Sequence, residues 1–192
     1  MSSLHLERAG FETSKSSSGF PAECDTTTDM KWFALILALP FLLLASGLLL
    51  SRPPLLAPPG PMERLKTYLT TNVAETREGH VFPELRPPLF AADAKATRDA
   101  VVRAMRSLGW REIRMTEGEV RAVVVSALFQ FRDDVTVRPQ ATEGGTLLHA
   151  RSASRIGKGD LAANARHLRA LFSQVERLVS TEVPPSAPRS TP

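Results

Sequence analysis

The sequence predicts an α+β domain: an antiparallel sheet of about four to five strands with two helices on one face, in the order β-α-β-β-β-β-α, preceded by one transmembrane helix. Three observations carry this expectation. A charge-free apolar run, Trp32 to Leu50, stands near the N-terminus. From Trp110 to Ser152 β-prone segments follow one another, separated by turn residues. Two segments with apolar residues at helical spacing flank that series, and helices of this kind pack on one side of an antiparallel sheet.

Residues 1–30 are polar and Ser/Thr-rich, and residues 182–192 are Pro/Ser-rich; neither holds enough apolar surface to fold, and both are expected to be disordered. Between them lies WFALILALPFLLLASGLLL, bounded by Lys31 and Arg52. A helix of this length spans roughly 28 Å, close to the thickness of a bilayer's hydrocarbon core. Pro40 would kink it, which membrane helices tolerate. Residues 31–51 are therefore read as a transmembrane helix or signal anchor, with membrane lipid as the partner of residues 32–50. LASG at 44–47 has the form of a lipoprotein cleavage box, but Leu48 stands where the lipidated cysteine belongs. Ala45 and Gly47 would suit an ordinary signal peptidase, so a cleaved signal is the alternative to a permanent anchor. Met30 and Lys31 ahead of the run resemble a start of their own. Positive residues nearly balance across the span, and the reading favours a single-pass protein with an extracytoplasmic C-terminal domain. The Pro-rich stretch within residues 52–69 reads as a stiff, extended spacer holding a domain of residues 70–181 off the membrane.

Within that domain, Arg86 to Phe90 is a short extended piece broken by proline, suited to a sheet edge. Asp93 can cap a helix from Ala94 to Leu108, with Val101, Met105 and Leu108 on one face and Gly109 as its stop. Trp110 to Met115 alternates. Val120 to Phe131 is β-prone, with Val123, Val125, Ala127, Phe129 and Phe131 sharing a face, and Val135 to Val137 continue as strand until Pro139. EGG at 143–145 turns the chain into Thr146 to Ser152. The last helix is expected from Leu161 to Val179, with Leu161, Leu168, Leu171, Phe172, Val175, Leu178 and Val179 as its apolar stripe.

Composition narrows the function. Net charge is +4, but 24 basic and 20 acidic residues are interspersed, and nine Phe, two Trp and one Tyr offer little stacking surface, so a nucleic-acid partner is disfavoured. Cys24 is the only cysteine, which rules out an intrachain disulfide and any Cys-based metal motif; neither metal nor cofactor is expected. Chemistry concentrates in HARSASRIGKGDLAANARHL, residues 149–168. Asp160 is placed to cap the last helix, with Gly157 and Gly159 supplying the turn before it. The competing reading takes Gly157-Lys158-Gly159 as an anion cradle with Arg151 and Arg155 as clamps and Asp134 nearby; Asp160 would repel the anion, and no complete nucleotide-binding loop is present. A hydrolase would use Ser152 or Ser154, with His149 or His167 as base and Asp133 or Asp134 as orienting acid. No GxSxG elbow supports it, and both histidines are expected at the surface. Asp133 and Asp134 must point to opposite faces of a strand, and one is expected to reach Arg151 or Arg155 across the sheet.

FQFRDDVTV at 129–137 followed by ARSASRIGKGDLAANARHL resembles the family known as domain of unknown function 1499. Phe131, Asp133, Asp134, Val135, Arg151, Ser152, Ser154, Arg155, Gly157, Asp160, Leu161 and Asn164 carry the resemblance. It implies a domain over about residues 70–180 and a membrane or envelope location, and it implies no reaction. Two departures stand out: Asn72-Val73-Ala74-Glu75-Thr76 lacks the cysteine usual at the domain start, and Ala162 stands where a glycine is common. The expectation is a membrane-tethered binding or interaction domain of the cell envelope, for an anionic small molecule or an envelope protein, and not an enzyme. A hydrolase and a structural envelope protein pairing through the edge at Leu85 to Phe90 are the alternatives.

Overall fold

The computed structural model describes residues 26–126 and 130–182. The chain divides into two compact units, residues 1–39 and 40–192. In the first, the described residues are helical, the beginning of α1 (Thr26–Ser51). The window Ala34–Ser51 of α1 has mean hydropathy 2.4 with 6% of it buried; among the described residues, α1 is the one helix long and apolar enough to cross a membrane.

In the second unit α1 ends at Ser51, where Arg52 turns to φ 43°. The Pro-rich stretch does not stand away as an extended spacer. From Pro61 it becomes a helix, α2 (Pro61–Thr70), with proline in its first turn where a missing N–H costs nothing. Arg64 of α2 is fully buried and draws the preceding loop inward: its guanidinium donates to the carbonyls of Ala57 (3.0 Å) and Pro58 (2.6 Å), to Glu84 (2.6 and 3.1 Å) and to the Tyr68 hydroxyl (2.9 Å), and lies 4.4 Å over the Phe82 ring. The folded unit therefore begins before residue 70.

The sheet strands are β1 (Val73–Glu75), β2 (Leu89–Phe90), β3 (Arg111–Met115), β4 (Val120–Val125), β5 (Arg132–Thr142) and β6 (Gly145–Ser154). They run antiparallel in the order β1-β6-β5-β4-β3, with β2 also pairing β6. A 3-10 turn, Pro83–Leu85, precedes β2. Within the segment expected as a sheet edge, β2 pairs β6 and no other strand among the described residues, while Leu85 is buried. Strand β1, absent from the sequence expectation, lies on the same side of β6. Strand β4 stops at Val125, short of the expected Phe131; the expectations for Ala127 and Phe129 fall outside the described residues, and Gln130 turns at φ 55°. Strand β5 continues through Pro139 because β4 reaches only as far as Val137, leaving that side of β5 without a neighbour. In β3 a bulge between Arg111 and Arg114, with Glu112 at φ 53°, breaks the expected alternation.

Helices α3 (Ala94–Ser107) and α4 (Ala163–Glu182) touch each other and lie on one face of the sheet. Asp93 caps α3 by accepting the Ala96 N–H at 2.7 Å, as its position predicts. The core gathers Val101, Ala104 and Met105 of α3, Leu168, Leu171 and Val175 of α4, and the inward residues Val120, Ala122, Val135, Val137, Leu148 and Ala150 of the sheet. Period-two burial along β5 and β6 sets these apart from an opposite, open face.

Candidate functional site

The alternation that builds the core also divides the candidate residues into two groups. Asp133, Ser152 and Ser154 point toward α4; Asp134, Arg151 and Arg155 belong to the open face.

On the inner side the centre is Asn164, which is fully buried. Its carbonyl accepts from the Ser152 hydroxyl (2.5 Å), and its amide donates to Ser154 Oγ (2.9 Å) and to the Asn72 carbonyl (2.8 Å). Asn72 in turn donates to the carbonyls of Gly157 (2.7 Å) and Ser154 (3.2 Å). Two asparagines thus sew the start of β1, the end of β6 and the start of α4 together. Asp160 caps α4 with both oxygens, accepting the N–H groups of Ala162 (2.9 Å) and Asn164 (2.8 Å). Burial pushes its carboxyl upward against these bonds. The helix begins at Ala163 rather than Leu161, because Leu161 and Ala162 take left-handed backbone at φ 51° and 68°. A side chain at Gly159 would meet the Leu69 carbonyl at 2.3 Å, so only glycine lets this loop pass α2. The amides of Ala162 and Asn164 are taken by Asp160; Lys158 is exposed beside them and pairs with no carboxylate among the described residues.

Asp133 is buried next to His167, with Oδ2 3.5 Å from Nδ1, while Asp133 Oδ1 and His167 Nδ1 have no hydrogen-bond partner. His167 is therefore not a surface histidine. It follows Asn164 by three residues and precedes Leu171 by four, which turns it inward with the apolar stripe, edge-on to Trp110 at 6.3 Å. Burial lowers its pKa to about 4, so it is neutral at pH 7, and burial raises that of Asp133 against its bond from Ser154. Ser154, Asp133 and His167 are neighbours, but the carboxylate lies between the hydroxyl and the imidazole. A nucleophilic serine needs its base in direct contact, with the acid behind the base. Both serine hydroxyls are also committed to Asn164.

On the open face Arg155 and Asp134 form a bidentate pair at 2.7 and 2.9 Å, and Arg155 holds the Asp134 carboxyl below its ordinary range. Arg151 lies 3.7 Å from Glu75, and Arg138 pairs with Glu119 at 3.0 Å. Thr136, Arg138, Gln140, His149 and Arg151 line a shallow groove of about 300 Å³ closed at one side by Glu75 and Thr76. The four residues singled out as a ligand set thus do not converge: Asp134 and Arg155 neutralise each other, Arg151 belongs to the groove, and Lys158 stands on the loop. Among the described residues no cluster of three His, Cys, Asp or Glu side chains could hold a metal ion. Sequence reasoning passed over Arg64 and the partnership of Asn72 with Asn164. The i,i+4 spacing of Arg64 and Tyr68 was the available sign of the first; for the second, separated by most of the domain, only the fold brings the pair together.

No curated protein and no solved structure matches the chain. A family model described as a protein of unknown function (DUF1499) matches residues 60–175, from the residue before α2 into α4 and more than half of the 192 residues, and the chain belongs to that family.

Proposed function

We propose that this chain is a membrane-tethered interaction domain of the cell envelope, held by residues 32–50 and presenting the open face of its sheet to an anionic ligand or a protein partner. The observation that carries this reading is α1: an apolar helix whose side chains are exposed, among them Leu35, Ile36, Phe41, Leu42 and Leu49, needs a non-aqueous surrounding. The commitment of Ser152, Ser154, Asp160 and Asn164 to internal hydrogen bonds supports binding over catalysis, since it turns the family motif into scaffold. The groove beside Arg151 and His149 on the open face has room for a small anion or an acidic side chain.

The test is to express the full chain with a C-terminal tag, wash its membranes with alkaline carbonate and determine the intact mass of what stays. Retention with residues 32–50 present supports the tether; release, or a mass beginning after Gly47, contradicts it. Crosslinking in the same membranes then reads the interaction. A discrete adduct lost in Arg151→Glu supports the open face as the contact, and an unchanged pattern contradicts it.

A further inference from the structure

The last turns of α1 meet α4 and the loop that leads into it at two points. A side chain on Gly47 would strike Leu161 at 2.3 Å, so Leu161 fills the space glycine leaves. Further along both helices, Arg169 donates to the carbonyls of Ser51 (2.9 Å) and Arg52 (3.1 Å), closing the C-terminal end of α1 with a cation. Moving back along α1 from Ser51 to Gly47 therefore moves along α4 from Arg169 toward its beginning at Ala163, and on to Leu161 in the loop before it. That beginning marks one end of the sheet. Here Asp133 pairs with Ser154, and one step beyond, Arg155 donates its N–H to the Arg132 carbonyl at 3.0 Å.

This end carries an apolar and basic surface. Ile156 is 70% exposed and Phe131 49%, two large apolar side chains left at the same strand end. Lys158 is exposed two residues after Ile156 and pairs with no carboxylate among the described residues, in contrast to Arg155 with Asp134. Gly47 lies three residues inside the end of the apolar run, about 4.5 Å along the helix axis. A residue packed on Gly47, as Leu161 is, stands at the hydrocarbon boundary if the run spans the bilayer.

We infer that this end of the domain is a second membrane contact: Ile156 and Phe131 enter the headgroup region of an anionic bilayer and Lys158 meets its phosphates. The inference rests on reading α1 as a membrane span. Apolar side chains bordered by a lysine match the boundary between acyl chains and headgroups, and the long lysine stem carries its ammonium to the polar level. Anionic lipid adds attraction for each such cation.

The test uses the full chain with Cys24→Ser in vesicles of phosphatidylcholine and phosphatidylglycerol containing lipids with a nitroxide quencher. An environment-sensitive fluorophore is placed on Ile156→Cys, on Glu143→Cys at the far hairpin, or on Leu42→Cys in α1. The expected result is a blue-shifted, quenched signal at 156, with quenching at least about twofold above that at 143, and a loss of that excess in Lys158→Glu. Equal behaviour at 156 and 143 with strong quenching at 42 overturns the second contact while leaving the tether standing. Absence of quenching at 42 overturns both. A blue shift at 156 without quenching means protein covers it, and quenching at 156 that is unchanged in pure phosphatidylcholine removes the anionic headgroup; either overturns the inference as stated.

Discussion

Asn164 shows how a dense polar cluster can be scaffold. It is fully buried and satisfies two serines and a main-chain carbonyl at once, so truncating it strands three polar partners away from water. Asn164→Ala is expected to cost about 2–4 kcal/mol in chemical denaturation of the detergent-solubilised chain. Ala162 makes the opposite prediction. Its φ of 68° is one that glycine adopts freely, so Ala162→Gly is expected to raise stability by about 1 kcal/mol in the same measurement. His167 links stability to pH. Its folded pKa of about 4 lies below the ordinary 6.5, so as pH falls from 6.5 toward 4 the unfolded chain takes up the proton first and the fold loses stability. His167 alone would account for about 3 kcal/mol over that window. Asp133 and Asp160, raised by burial, act in the opposite sense: their contribution is fullest below the unfolded carboxyl value and is lost as pH rises through their folded values. Denaturation midpoints at pH 7 and 4.5 are expected to differ less in His167→Gln than in the parent chain. At this scale the sequence revealed Asp160 as a cap and the opposite facing of Asp133 and Asp134, because both follow from local geometry. The burial of His167 needed the neighbouring sheet and Trp110, which no local pattern supplies.

Elements were legible where a single periodicity ran uninterrupted. Helix α3 appears within a residue of its expected bounds because its cap, apolar face and glycine stop agree. Strand β5 was cut short in the expectation because Pro139 removes a donor; its tolerance depends on where β4 ends, a property of the partner strand. Helix α2 was hidden among prolines. Its function as a latch follows from Arg64, whose charge is buried with Glu84 and two loop carbonyls. Arg64→Ala leaves Glu84 and those carbonyls without their donor, and is expected to destabilise the chain by about 3 kcal/mol and to open residues 52–60 to limited proteolysis. Retention of the parent cleavage pattern would show that the loop holds its place without the latch.

For the whole molecule, the α+β class and the apolar run were readable from sequence, whereas the relation between the end of that run and the domain was not. A Pro-rich connection reads as a spacer, yet the loop folds back on Arg64, Arg169 closes the end of α1, and Leu161 packs on Gly47. The C-terminal turns of α1 and the domain form one piece, so that whatever surface the domain presents is presented at a fixed height and orientation relative to those turns. A cysteine pair tests it most directly. A Cβ on Gly47 lies 3.4 Å from that of Leu161, at the edge of the range of about 3.5–4.5 Å that disulfides span. In membranes holding the full chain with Cys24→Ser, Gly47→Cys with Leu161→Cys is expected to oxidise to an intramolecular disulfide, while Gly47→Cys with Glu143→Cys does not. Failure of the first pair to crosslink, with both thiols reactive toward a maleimide, would show a domain swinging free of its helix and would contradict the account.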